Sequence, residues 1–250
     1  MKGASRNKTR EVETIVEFAK KFSSPAEEYP LSHIDSPQRV RRYVIKAEEI
    51  VRYMQNGKVL DWGSGYGQMF FLLQNRGLDV TGCELAEYYR DRTIADLKGS
   101  KIIYLEDPVK LPFDDLSFDA VLSCGVLEHV ANQEGSLKEV YRVLKKRGWF
   151  FIYNLPNKFS WIEFISRHIS RTGHERLYGI KKTVKWLDKY GFKVMKSYYE
   201  CFLPVNLASS GNALRKFVDN PLYNSLNDFL PKIPLLNHLS QNIAIISQKI

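Results

Sequence analysis

The chain has 250 residues, 44% of them hydrophobic, enough to bury one ordinary core, which excludes a disordered protein. The balance of 37 basic against 28 acidic side chains gives a formal net charge of +9. The three cysteines, Cys83, Cys124 and Cys201, show neither CxxC nor Cys/His spacing, which excludes a disulfide framework and a cysteine zinc site and points to a reducing, cytoplasmic setting.

Helices come first in chain order. Val12, Ile15, Val16, Ala19 and Phe22 fall on one helical face, and Val40, Tyr43, Val44, Ala47, Ile50, Val51 and Met54 form a longer stripe. Ser36 reads as the N-cap of that second helix, Pro37 as its first residue and Gly57 as its terminator. The intervening "SSPAEEYPLSHIDSP" reads as an ordered loop or lid. Met1 is followed by polar "KGASRNKTRE", and no later run approaches the roughly 20 apolar residues of a membrane span, so the expectation is a chain neither exported nor membrane-spanning.

From residue 58 the periods alternate. Strand "KVLDWG" leads to a helix from about Tyr66 to Arg76, strand "DVTGCEL" to a helix over 86 to 98, and then come strands "KIIYLED" and "FDAVLSCG", a helix over 133 to 146 and strand "GWFFIYNLP". A β/α series of this kind predicts a parallel sheet with helices on both faces and a ligand at the carboxyl ends of the strands. The turn after the first strand reads D-x-G-x-G-x-G over Asp61, Gly63, Gly65 and Gly67, with Gln68 where a dinucleotide fingerprint needs its last glycine. Glu84 closes the second strand, where a carboxylate can accept hydrogen bonds from both hydroxyls of a ribose, so an adenosine-containing ligand is expected.

"VLDWGSGYG", "VTGCEL", "EDPVKLPFDDLSFDAVLSCGVLEHV" and "EVYRVLKKRGWFFIYNLPN" together resemble a class I S-adenosylmethionine-dependent methyltransferase of the small-molecule O-methyltransferase branch, over about residues 50 to 200. The resemblance implies a Rossmann-like α/β fold with a seven-stranded, mostly parallel sheet, helices on both faces and an antiparallel last strand. "FKVMKSYYECF" and "NIAIISQKI" would supply strands six and seven. It also implies S-adenosyl-L-methionine as cofactor. Asp61, Gly63 and Gly65 would hold its methionyl end, with Ser64 and Gly67 in the same turn. Glu84, followed by Leu85, would hold the ribose and Asp107 the adenine amino group, and Ser123, Cys124 and Gly125 would lie along the ligand. Two positions depart from the commoner pattern, Pro108 after Asp107 and Trp62 in the glycine turn. Other roles stay open residue by residue: Asp61 and Asp107 can cap their own turns, and Cys83 and Cys124 suit small buried strand positions.

The sulfonium of such a cofactor is already activated, so the protein needs chiefly to orient an acceptor. His129 in "LEHV" is the candidate general base for an O-methylation, the alternative being that Glu128 and His129 only orient the loop. The stretch also resembles quinone-biosynthesis O-methyltransferases, which place two glutamates and a histidine on a divalent metal. Gly125 stands at the first glutamate, and with two candidate ligands left no metal is expected. In the "GHERLY" loop, His174, Arg176 and Tyr178 are the candidate acceptor contacts.

The organisation reads as one domain, with an N-terminal helical cap over 1–57, a cofactor core over 58–157 and acceptor-side helices with the last two strands over 158–250. That last third carries 14 basic and 6 acidic side chains and a long insertion over 203 to 241, rich in leucine and phenylalanine. The cations read first as solvated helix faces and the apolar residues of the insertion as completing the core beneath two short helices, with a cleft for a greasy acceptor or peripheral membrane contact as the alternative. The leading function is methylation of a small-molecule, sugar or lipid-linked acceptor, expected to be anionic and contacted from this third, Arg176 first. A nucleic-acid methyltransferase ranks second, since no RNA-binding module or N-P-P-[YFW]-like tetrad is present, and a non-catalytic cofactor-binding subunit ranks third.

Overall fold

The computed structural model describes residues 2–22, 31–88, 91–170, 173–204 and 216–250, with the side chains of all these but 2–8 and 170. Seven strands form one sheet: β1 (Lys58–Trp62), β2 (Asp79–Leu85), β3 (Ile103–Leu105), β4 (Phe118–Cys124), β5 (Leu144–Pro156), β6 (Phe192–Glu200) and β7 (Asn242–Lys249). Their order is β3-β2-β1-β4-β5-β7-β6, with only β7 antiparallel to its neighbours. The chain reverses its direction of travel across the sheet between β1 and β4, and the ends of those two strands open the crevice in which α/β sheets hold ligands.

Two-residue alternation splits the strands between two cores. On one face Val59, Phe151 and Ile246 pack with Ile15, Ala47, Ile50 and Phe70 from helices α1 (Lys2–Phe22), α2 (Pro37–Tyr53) and α3 (Gln68–Gln74). On the other, Leu60, Phe150 and Ile245 pack with Leu137, Val140 and Leu187 from α4 (Gln133–Val143) and α6 (Ile180–Lys189). The short α5 (Trp161–Ile165) and a π-helical turn over Ser166–Ser170 precede α6.

Several expected boundaries move, each for a local reason. The helix expected over 86–98 is two 3₁₀ turns, Ala86–Tyr88 and Ile94–Lys98. Thr93 and Asp96 form a capping box that starts the second turn afresh, and left-handed Gly99 ends it. Helix α3 begins at Gln68 rather than Tyr66 because Gly67 is left-handed, and α4 stops at Val143 because Leu144 is already extended and paired with Phe118. Gly57 does not end α2, whose C-cap is Met54; its φ of +123° turns the chain into β1. Ser36 makes no side-chain cap, its hydroxyl donating to Asp219 instead. The insertion holds α7 (Pro221–Phe229), capped by Asn220, and two 3₁₀ turns, while Leu207, Leu214 and Arg215, and residues 23–30 of the expected lid, lie outside the described residues. Among the described residues no helix is long and apolar enough to cross a membrane.

Candidate active site

The glycine turn is closed from both sides. The Glu84 carboxylate accepts from the backbone N–H of Gly65 and of Leu85, each at 2.9 Å, tying the end of β2 to the turn after β1. Gly63, with φ +73°, leaves no room for a side chain, since a Cβ there would meet Val126 at 2.4 Å. Gly65 is the opposite case: its φ is +56°, yet a Cβ would find nothing within 4 Å, so the turn presents an open cradle. Asp61 lies beneath, buried, accepting from the Phe70 N–H at 3.1 Å, and Ser64 donates to its carbonyl. Burial pushes the Asp61 carboxyl up to about 7.

The other expected cofactor residues divide. Ser123 is buried on β4 with no partner for its hydroxyl among the described residues, and Cys124 takes a weak bond from the Asn154 amide, with burial raising its thiol to about 12. Asp107 stays exposed, its carboxylate accepting from the N–H groups of Val109 and Lys110 in its own turn. In this structure it stands as a turn cap.

The loops after β4 and β5 meet at this end of the sheet. Arg176 donates to the carbonyl oxygens of Glu128, Val130 and Ala131, and Tyr178 takes a bond from Gln133 and pairs its backbone with Pro156 and Lys158. Both residues therefore clamp loop to loop. The Arg176 guanidinium, expected to face an acceptor, is engaged here with these backbone carbonyls. What the clamp delivers is His174, whose ring stands 5.9 Å from that of His129. Glu163 of α5, buried, accepts from His174 Nδ1 at 2.7 Å and from its backbone N–H at 3.0 Å. That carboxylate raises the His174 pKa, whereas burial, with the His174 and Arg176 cations nearby, lowers that of His129.

Glu128 completes the group. Its side chain is 4% exposed, Oε1 lies 3.9 Å from His129 Nε2 and Oε2 has no partner among the described residues. Glu128, His129 and His174 offer ligand atoms all within 4.8 Å of one another, three donors where the sequence showed two. Nothing local in the sequence joins His174 to His129, 45 residues before it.

These side chains line a cavity of about 220 Å³ together with Gly125, Asn154, Cys201 and, from α2, Arg42, Tyr43 and Lys46. The apolar stripe of α2 was legible, but its second, charged stripe was missed. Arg39, Arg42 and Lys46 recur at helical spacing beside it, and Lys46 is buried against Glu200 at 2.9 Å. Burial works against the Lys46 charge, but Glu200, Cys124 and Cys201 together raise the lysine pKa. A larger depression of about 770 Å³, lined by Leu116, Arg147 and Gln248, lies at the opposite end of the sheet, away from the strand ends that carry these groups.

Comparison with known proteins agrees with this geometry. Residues 60–152 match the family described as "Methyltransferase domain". The chain is 28% identical over 189 residues to a ubiquinone biosynthesis O-methyltransferase of Bordetella avium, covering 68% of this chain and 74% of that one. It is 28% identical over 162 residues to sterol methyltransferase-like 1 of Botryococcus braunii, covering 60% and 42%. The chain spans about half the length of several relatives it matches. Among solved structures, a SAM-dependent methyltransferase from Archaeoglobus fulgidus superimposes with a TM-score of 0.55 at 19% identity, covering 84% of this chain and 94% of that one. Residues 60–152 are therefore similar to a methyltransferase domain, on a fold shared with solved S-adenosylmethionine-dependent methyltransferases.

Proposed function

We propose that the protein transfers a methyl group from S-adenosylmethionine to a small or lipid-like acceptor, with oxygen as the accepting atom. One observation carries the reading: Gly125 directly follows β4 beside the glycine turn, whose Gly63 faces the next residue, Val126, and it also lines the His129–His174 cavity. Cofactor cradle and acceptor cavity thus share a wall. The relatives named for ubiquinone biosynthesis and for sterols favour an apolar acceptor.

The residues fit the cofactor. Gly65 leaves an open cradle, and Asp61 is a buried carboxyl with no cation within ion-pair distance among the described residues, suited to the positive end of an amino acid. Asp61, Gly63 and Gly65 would hold the methionyl portion and Glu84 the ribose. When bound, the cofactor supplies the activated methyl group. The chain's own contribution is to orient the acceptor: α2 and the clamped loops line the cavity, and His129, whose pKa burial and nearby cations lower, accepts the hydroxyl proton. The volume, about 220 Å³, admits a ring-sized headgroup rather than a whole lipid.

Titration calorimetry with S-adenosylmethionine, followed by a labelled-methyl assay against quinol, phenolic and sterol acceptors, tests the reading. Saturable binding that Asp61→Ala abolishes is expected. A folded protein that ignores the cofactor refutes it.

A further inference from the structure

Helix α7 is built inside out. Its buried side carries Asn224 and Asn227, 5% and 2% exposed. Both are engaged: Asn224 donates to the carbonyls of Val218 and Asn220 and accepts from Arg42 of α2, while Asn227 accepts from the N–H groups of Phe202 and Leu203 and donates to the Leu203 carbonyl. The outer side shows Leu222, Leu226 and Phe229, 69%, 44% and 57% exposed, spaced so that they form one stripe. Phe217 just before the helix and Leu235, Leu236 and Leu239 just after it are exposed as well.

A second apolar surface adjoins the first. Phe159, Phe164 and Ile169, on and around α5, are exposed, and α5 is tied to α7 through Phe202, whose carbonyl accepts from Trp161 Nε1. Exposed apolar surface this extensive marks an interaction face.

Charge selects the partner. The two acids of the insertion are neutralised by α2, Asp219 lying 3.6 Å from Arg39 and Asp228 3.4 Å from Arg41. Among the described residues, no carboxylate lies within ion-pair distance of Lys158, Lys216 or Lys232, so the rim of the apolar face is cationic. A second copy of the chain would set these lysines against each other in a symmetric interface, with both nearby acids already engaged. An anionic bilayer satisfies both features, taking the apolar side chains below its headgroups and the lysines at them.

Position gives the face a purpose. The insertion leaves the cavity wall at Cys201 and returns to it at Gln241. We infer that the α5–α7 face docks on an anionic lipid surface and holds the cavity mouth against the bilayer, so that a membrane-resident acceptor enters headgroup first. The purpose, though not the docking, rests on the proposed methyltransferase activity.

Co-sedimentation with vesicles of phosphatidylcholine alone, and of phosphatidylcholine with phosphatidylglycerol, tests the docking. Binding is expected to the anionic vesicles and to weaken at about 0.5 M salt. Leu222→Ser with Phe229→Ser should lower partitioning by about tenfold or more, with melting temperature and cofactor affinity unchanged, because both side chains stand in solvent. Lys216→Glu with Lys232→Glu should lower binding to anionic vesicles alone. No sedimentation with either vesicle, or equal partitioning of wild type and the Leu222/Phe229 variant, overturns the inference. So does a dimer in sedimentation velocity that this variant dissolves, which would make the face an interface between copies. Cofactor binding measured on the same preparations reports separately on the methyltransferase reading.

Discussion

At the scale of single residues, Asp61 is the group whose protonation should report the cofactor. Its folded pKa of about 7 lies above the ordinary 3.8, so the free protein holds this proton more tightly than the unfolded chain. Asp61 therefore contributes stability that is complete below about pH 4 and is lost as pH rises through about 7, on the order of 4 kcal/mol at most. Asp61→Asn should flatten that part of the stability-against-pH curve in chemical denaturation. A cationic ligand end beside it should expel the proton, so calorimetry near pH 6 in two buffers of different ionisation enthalpy should show net proton release for wild type and not for Asp61→Asn. A second test contrasts two glycines. Gly65→Ala should fold, at a cost of about 1–2 kcal/mol for its left-handed backbone, yet lose cofactor binding because the new Cβ enters the cradle. Gly63→Ala should lose both, since Val126 occupies the space. For His129→Ala, turnover should fall by roughly 10²–10⁴ with cofactor affinity unchanged; undiminished turnover would leave catalysis to positioning alone.

At the scale of elements, the post-β5 loop is positioned by a guanidinium fork and a phenol. Because Arg176 reaches three carbonyls, Arg176→Lys should behave like Arg176→Ala, weakening His174 delivery and lowering kcat, with a KM no more salt-sensitive than that of wild type. A KM that rose with Arg176→Ala and was restored by Lys would instead return this residue to the acceptor. Helix α2 is held against β6 by the buried Lys46–Glu200 pair. Lys46→Met should cost about 3–5 kcal/mol by stranding Glu200, and adding Glu200→Gln should restore much of it, as a double-mutant cycle in urea would show. The elements themselves were largely readable, since strand ends, glycine turns and the α2 stripe all announce themselves by period. Boundaries failed where a local device overruled the period, as the Thr93–Asp96 capping box does in the stretch expected to be one helix.

At the scale of the whole molecule, the surplus of cations in the last third is divided between inside and outside. Four of its six acids, Glu163, Glu200, Asp219 and Asp228, face His174 or basic residues of α2, while Glu175 and Asp188 stay exposed, so lysines outnumber acids on the surface of this third. Composition alone could not show that division, because pairing partners such as Lys46 and Glu200 are 154 positions apart. What the sequence by itself determined is the sheet and the cofactor turn, for both rest on short-range rules: two-residue alternation, glycine where φ is positive, and an acid ending the neighbouring strand. Only the tertiary structure decided the acceptor side. The meeting of Glu128, His129, His174 and Glu163 depends on two loops clamped across the sheet, and the inverted face of α7 depends on which side of a helix finds partners for its asparagines, backbone groups and Arg42 of α2. Those are questions of which surfaces touch, and in a chain of this length they are answered by packing between residues far apart in sequence.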